Sequence, residues 1–242
     1  NTQKRQNHSF YQPTEKDRRK YQSASEIDGY LAALIEEVKR NGFSNDLCLQ
    51  CKPKDSCKHK KHSILQIVDE KMNHIRHKTM GSPLKRDEML ALVLYTGCEC
   101  NYDLCRSQRN GDYVKWKWFD YCLFWAIWKL SKRETGSFSV YTGLNGVQLP
   151  RTVVPCGYFK TYVSTSWRRE IAEKFMGGNS GMIIQFDEAY KNNEWIFCCD
   201  VSWISKFPDE CEVLFARSDL DDNRFQCVVM DTCNGIQTVA LQ

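Results

Sequence analysis

Phe207-Pro208-Asp209-Glu210-Cys211-Glu212-Val213-Leu214 places the carboxylates of Glu210 and Glu212 one residue apart, at the start of an apolar run. We predict a strand over residues 211–215, so that the side chains of Glu210 and Glu212 project on the same side of an extended segment. The pattern favours a site with two adjacent carboxylates at the beginning of a strand. The alternative is a pair of exposed strand residues without a chemical role.

Two polar stretches earlier in the chain also lie at the ends of predicted strands. The first is Val140-Tyr141-Thr142-Gly143-Leu144, and the second is Tyr162-Val163-Ser164-Thr165-Ser166. A predicted helix follows the second stretch and runs through Phe175. Taken singly, the serines and threonine of residues 164–166 fit an ordinary polar strand edge, and Phe175 fits a helix packed on the core.

In this order and spacing, the three stretches resemble the arginine–Ser–Glu class of ADP-ribosyltransferases, which includes the eukaryotic mono-ADP-ribosyltransferases and bacterial relatives. Two more stretches fit that class, namely residues 92–97 and the run Asp200–Ser205 ahead of the two carboxylates. The resemblance covers residues 85–242. It implies an α+β fold, in which a helical N-terminal part precedes a split, mostly antiparallel β-sandwich.

The resemblance also implies a reaction, the transfer of ADP-ribose from NAD to a macromolecular acceptor. Glu212 would stabilise the cationic ribose as nicotinamide departs, and Glu210 would orient or deprotonate an arginine of a protein acceptor. Ser164 would order Glu212 by hydrogen bonding. The residues expected to bind NAD are Tyr141, Thr142, Gly143, Thr165, Ser166 and Phe175.

Thr142 departs from the family pattern, which has an arginine in the first strand motif. Threonine supplies neither the charge nor the forked donors of arginine for a phosphate. Arg106, Arg109 and Arg151 are candidate substitutes, and the sequence does not choose among them. Three functions therefore stay open: an active transferase with altered NAD binding, an NAD glycohydrolase, and a catalytically inactive interaction module.

The order of apolar patterns predicts helices first and strands later, which is typical of α+β rather than of alternating βαβ units. We expect a flexible basic arm over residues 1–24, a helical accessory segment over 25–80, and the catalytic domain over 81–242, after the break at Gly81-Ser82-Pro83. The predicted helices cover 25–40, 63–76, 85–94 and 120–130. The predicted strands cover 138–141, 158–163, 181–186, 195–201, 211–215, 224–230 and 237–241.

A loop over residues 44–63 is rich in cysteine, lysine and histidine. Its Cys48, Cys51, Cys57 and His62 have spacings that can hold a tetrahedral Zn²⁺ ion. A basic surface loop with ordinary thiols is the alternative.

The number of cysteines, thirteen, and the uneven distribution of charge indicate what kind of protein this is. Adjacent Cys198-Cys199 and closely spaced Cys98 and Cys100 argue against a disulfide scaffold, so we expect a reducing compartment, the cytoplasm. The excess of basic residues lies in the first 86 residues, and a basic arm is able to attract nucleic acid. No apolar run is long enough to cross a membrane.

Overall fold

A computed structural model describes residues 11–21, 25–44, 46–47, 61–97, 100–136, 139–150, 156–157, 159–177, 180–187, 197–218, 225–233 and 236–241. The helices of these residues are α1 Glu15–Tyr21, α2 Leu31–Arg40, α3 Ile64–Met72, α4 Ile75–Thr79, α5 Arg86–Gly97, α6 Cys100–Arg109, α7 Lys117–Ser131 and α8 Arg169–Met176. The strands are β1 Asp46–Leu47, β2 His62–Ser63, β3 Val140–Asn145, β4 Cys156–Gly157, β5 Val163–Ser166, β6 Gly181–Phe186, β7 Cys198–Asp200, β8 Glu212–Phe215, β9 Phe225–Cys233 and β10 Ile236–Leu241. Most helices precede the main strands, which confirms the predicted α+β class.

The helices share one apolar core. Helix α5 lies at its centre and is buried along most of its length. Leu34 of α2 and Ile67 of α3 belong to the same core as Leu90 of α5 and Leu123 of α7. Because this core contains residues from both sides of residue 81, the predicted boundary there does not separate two cores.

The described part of the N-terminal arm packs against α7. The rings of Tyr11 and Tyr21 lie 5.1 Å and 5.6 Å from the ring of Trp118, in edge-to-face contacts. Contacts of this kind add to the free energy gained by burying the rings. Residues 11–21 therefore make tertiary contacts with α7, and residues 1–10 and 22–24 lie outside the described part.

The main sheet has the strand order β4-β9-β10-β6-β3-β5-β8-β7. Among the described residues the β6–β10 pair is parallel, and the other neighbouring strands are antiparallel. Strands β3 and β5 are joined at one register pair, Tyr141 with Ser166, whereas β3 pairs with β6 along its whole length. The sheet therefore divides between β3 and β5, as the resemblance implies.

A second apolar core lies against the strands and includes Val140, Phe186, Val213 and Phe215. Cys198 and Cys199 are buried free thiols. Within the described ranges, no helix combines the length and apolar character needed to cross a membrane.

Candidate active site

A pocket of about 540 Å³ opens where β3 and β5 diverge. Its walls come from α5, α6, β3, β5, α8 and the segment that leads into β8. The structure brings all the residues predicted for catalysis and NAD binding to this pocket: Tyr141, Thr142, Gly143, Ser164, Thr165, Ser166, Phe175, Glu210 and Glu212. Stretches that lie far apart in the sequence thus form one site.

Glu212 is the first residue of β8 and is buried, with 7% of its surface exposed. The Ser164 hydroxyl, on the neighbouring strand β5, donates a 2.5 Å hydrogen bond to Glu212 Oε1. Burial raises the pKa of Glu212 to about 7, and the negative charge of Glu210 contributes to the rise, whereas hydrogen bonds from Ser164 and Ser205 oppose it. The carboxyl group therefore changes its charge near neutral pH.

Glu210 does not lie on an extended segment. It ends a 3₁₀ turn, Pro208–Glu210, and the next residue, Cys211, has a left-handed φ of 49°. Our prediction that Glu210 and Glu212 project from one extended strand is therefore wrong, because the left-handed residue bends the chain between them. Both residues nevertheless line the pocket, and the negative charge of Glu210 raises the pKa of Glu212.

The three hydroxyl groups of β5 make different contacts. Ser164 holds Glu212, whereas Thr165 is buried and donates a 2.8 Å hydrogen bond to the main-chain carbonyl of Val213. Ser166 donates a 2.6 Å hydrogen bond to the main-chain carbonyl of Glu210. The strand therefore fixes both the carboxylate of Glu212 and the turn that carries Glu210.

Strand β3 supplies Tyr141, Thr142 and Gly143 to the pocket, with helix α8 packed on it. A Cβ atom at Gly143 would lie 2.0 Å from the main-chain oxygen of Ala172 in α8, so only glycine fits there. The close approach brings Phe175 of α8 to the pocket. Phe175 is 62% exposed, which rules out the alternative of a core side chain.

The sequence pattern did not predict helix α6, which contributes Asn101, Tyr102, Cys105 and Arg109 to the wall of the pocket. Of these four residues, only Arg109 had been considered, as a candidate substitute for an arginine at Thr142. Much of the buried side of α6 is polar. Gln108, for example, is buried and donates a 2.8 Å hydrogen bond to Asp120 of α7. An apolar repeat is therefore too sparse to reveal this helix. Ser205, which contacts Glu212, lies in the Asp200–Ser205 run that the resemblance had singled out.

A family model described as NAD:arginine ADP-ribosyltransferase matches residues 50–220. The match covers more than half of the chain and includes all three motif stretches. The chain belongs to the NAD:arginine ADP-ribosyltransferase family. A comparison with curated protein sequences finds no significant match.

Solved ADP-ribosyltransferases share the fold of this family member. Exoenzyme S from Pseudomonas aeruginosa, solved with human 14-3-3 protein beta and carba-NAD, has a TM-score of 0.53 at 20% identity and covers 74% of this chain and 87% of its own. HopU1 of Pseudomonas syringae pv. Tomato DC3000 has a TM-score of 0.57 at 15% identity, covering 76% and 88%. The eukaryotic mono-ADP-ribosyltransferase ART2.2 has a TM-score of 0.50 at 19% identity, covering 73% and 81%. At these identities the likeness shows the fold alone.

The zinc ligands predicted for this ADP-ribosyltransferase family member fall mostly on residues that are not described. Cys48, Cys51 and Cys57 lie outside the described residues, and His62 lies in β2, paired with Leu47 of β1. Across the described ranges, no three His, Cys, Asp or Glu side chains form a cluster able to hold a metal ion. The zinc site stays a prediction.

Proposed function

We propose that this family member transfers ADP-ribose from NAD to an arginine side chain of a protein. The observation that carries the proposal is the hydrogen bond from Ser164 to the buried carboxyl group of Glu212, in a pocket that Glu210 also lines. Membership of the NAD:arginine ADP-ribosyltransferase family supports NAD as the donor and arginine as the acceptor.

Glu212 acts on the ribose in this proposal. The bond between the nicotinamide nitrogen and the ribose anomeric carbon breaks, and its electrons leave with nicotinamide. Ionised Glu212 stabilises the positive charge that develops on the ribose and accepts a hydrogen bond from the 2′-hydroxyl. The Ser164 hydroxyl holds the carboxylate in one orientation, so little reorganisation is needed during the reaction.

Glu210 acts on the acceptor. Its carboxylate binds the guanidinium group of an incoming arginine through charge-assisted hydrogen bonds. A guanidinium nitrogen then forms a bond to the anomeric carbon, and Glu210 takes the proton that this nitrogen loses. The bend at Cys211 supports separate roles, because it prevents the two carboxylates from standing side by side as on a regular strand.

Two rival functions follow from the same pocket. Water could replace arginine as the acceptor, which would make the protein an NAD glycohydrolase. Thr142 lines the pocket at the position where the resemblance implies an arginine, and this feature favours an inactive interaction module. We favour the transferase because Ser164, Glu210 and Glu212 are all present and meet in one pocket.

The deciding experiment measures nicotinamide release from NAD by the purified protein, with and without agmatine as a small arginine analogue. A reaction without protein serves as the control for background cleavage. Release that is accompanied by ADP-ribosyl-agmatine supports the transferase. Release of equal size without any agmatine adduct indicates a glycohydrolase, and no release above the control indicates an inactive module.

Three further predictions from the sequence remain proposals. They are a Zn²⁺ ion at Cys48, Cys51, Cys57 and His62, nucleic-acid binding by the basic N-terminal arm, and a cytoplasmic location. The free thiols among the described cysteines support the last of these.

A further inference from the structure

The charge of the pocket raises a question about the donor. NAD carries two negative phosphates, and the pocket already presents the carboxyl groups of Glu210 and Glu212. Anionic groups close together repel one another more strongly when they are partly buried. A positive group in the pocket would offset this repulsion, and Thr142 does not provide one.

Arg109 is the only lysine or arginine among the described residues that line the pocket. It is the last residue of α6, and its side chain is exposed. Among the described residues, Arg109 forms no ion pair with a carboxylate. A guanidinium group in this position is available to a ligand.

The structure argues against Arg106, the other candidate substitute among the described residues. Arg106, one turn earlier on α6, does not line the pocket and forms a 2.6 Å ion pair with Asp103. Arg151 lies outside the described residues. The nearby Arg168 and Arg169 of the α8 region form ion pairs with acidic residues of their own helix and do not line the pocket either.

The charge of Arg109 acts on groups inside the pocket. Burial raises the pKa of the Cys105 thiol, and the positive charge of Arg109 partly offsets that rise. Burial also raises the pKa of Tyr95, on the adjacent helix α5, and the positive charge of Arg109 again partly offsets the rise. Since Cys105 and Tyr95 both line the pocket, the guanidinium group lies close enough to attract an anion bound there.

We propose that Arg109 binds the diphosphate of NAD and supplies from α6 the charge that Thr142 fails to supply from β3. The inference rests on the proposed function, because it takes NAD as the donor. Arginine suits this role, since its planar group donates two parallel hydrogen bonds to phosphate oxygens.

The test compares three ligands by calorimetry: NAD, ADP-ribose, and nicotinamide riboside, which lacks the diphosphate. Arg109→Gln should weaken NAD and ADP-ribose by about 10- to 100-fold, the effect of losing a charge-assisted hydrogen bond. It should leave the affinity for nicotinamide riboside unchanged. Arg106→Gln is the matched control, on the same helix but outside the pocket, and should change none of the three by more than about twofold.

A rescue variant separates a role in binding from a role in structure. Adding Thr142→Arg to Arg109→Gln should restore most of the lost affinity, because it returns a guanidinium group to the pocket from β3. Equal binding of NAD by the wild-type protein and Arg109→Gln would overturn the inference and leave the proposed function standing. A wild-type protein that binds ADP-ribose through Arg109 but releases no nicotinamide from NAD would overturn the proposed function and leave the inference about Arg109 standing. Equal loss for all three ligands would show that Arg109 supports the fold instead, and would also overturn the inference.

Discussion

The Ser166 hydroxyl donates a 2.6 Å hydrogen bond to the main-chain carbonyl of Glu210, which ties strand β5 to the turn that precedes β8. Ser164, two residues earlier on β5, holds the carboxylate of Glu212 instead. Residues two apart on a strand face the same side. One face of the short strand β5 therefore positions both acidic residues, by different contacts. The roles of the two carboxylates can therefore be tested one at a time.

Glu210→Gln should reduce the modification of agmatine far more than the hydrolysis of NAD. The amide keeps the size of the side chain but cannot take a proton from the attacking guanidinium group, a contribution typically worth about 10²- to 10⁴-fold in rate. The two products, ADP-ribosyl-agmatine and free ADP-ribose, are measured in the same reaction. Equal losses of both would contradict a division of roles between Glu210 and Glu212.

Ser164→Ala should move the pH dependence of nicotinamide release to higher pH. The hydroxyl group lowers the pKa of Glu212, so its removal raises that pKa further above about 7 and leaves less carboxylate at neutral pH. The measurement is the midpoint of the acid limb of the pH–rate profile. Thr165→Val is the matched control, because that hydroxyl bonds the Val213 carbonyl and does not touch Glu212; an unchanged midpoint in Ser164→Ala would count against the assignment.

Thr142→Arg should tighten NAD binding by about tenfold, since a charge-assisted hydrogen bond to phosphate replaces a neutral group. Because Thr142 lines the pocket, an arginine side chain at this position would start from the wall of the pocket. Calorimetry with the wild type and the variant measures the change, and Thr142→Gln controls for the added length without the charge. If neither the wild type nor Thr142→Arg binds NAD, the enzyme interpretation is wrong.

Glu212→Gln should stabilise the fold at pH 8 relative to the wild type, but not at pH 5. The folded-state pKa of Glu212 is raised from 4.5 to about 7, so the folded protein holds a proton that the unfolded chain releases between these values. The stability from that proton is fully present below about pH 4.5 and is lost as the pH rises through 7. The difference at pH 8 should be roughly 3 kcal/mol at most, and denaturant unfolding at both pH values measures it. An equal effect at pH 5 and pH 8 would show that the charge of Glu212 is not the cause.

Much of the sheet and the residue set of the pocket could be predicted from the sequence. The apolar run over 181–186 predicts strand β6 with the bounds that the structure gives, and the aromatic run over 120–130 lies within α7. Strand β5 is displaced toward higher residue numbers from the prediction over 158–163, because Ser164, Thr165 and Ser166 are polar residues that β5 orders by pairing with β8. Polar strands at a site therefore escape an apolar pattern even where their motif is recognised.

The remaining features depend on tertiary contacts. Helix α6 buries polar groups such as Gln108, whose amide nitrogen donates a hydrogen bond to Asp120 on α7. The turn before Glu212 depends on a left-handed conformation at Cys211, which a cysteine rarely adopts. The docking of Tyr11 requires the ring of Trp118, which lies far along the chain. Local propensity carries no information about any of these contacts.

The central claim is that ionised Glu212 stabilises the reacting ribose of NAD. Its most direct test is the rate of nicotinamide release by the wild type and by Glu212→Gln, each shown to be folded by its unfolding transition. The account predicts that the variant loses on the order of 10²- to 10³-fold in rate while it still binds NAD. A folded Glu212→Gln protein that releases nicotinamide at the wild-type rate would contradict it.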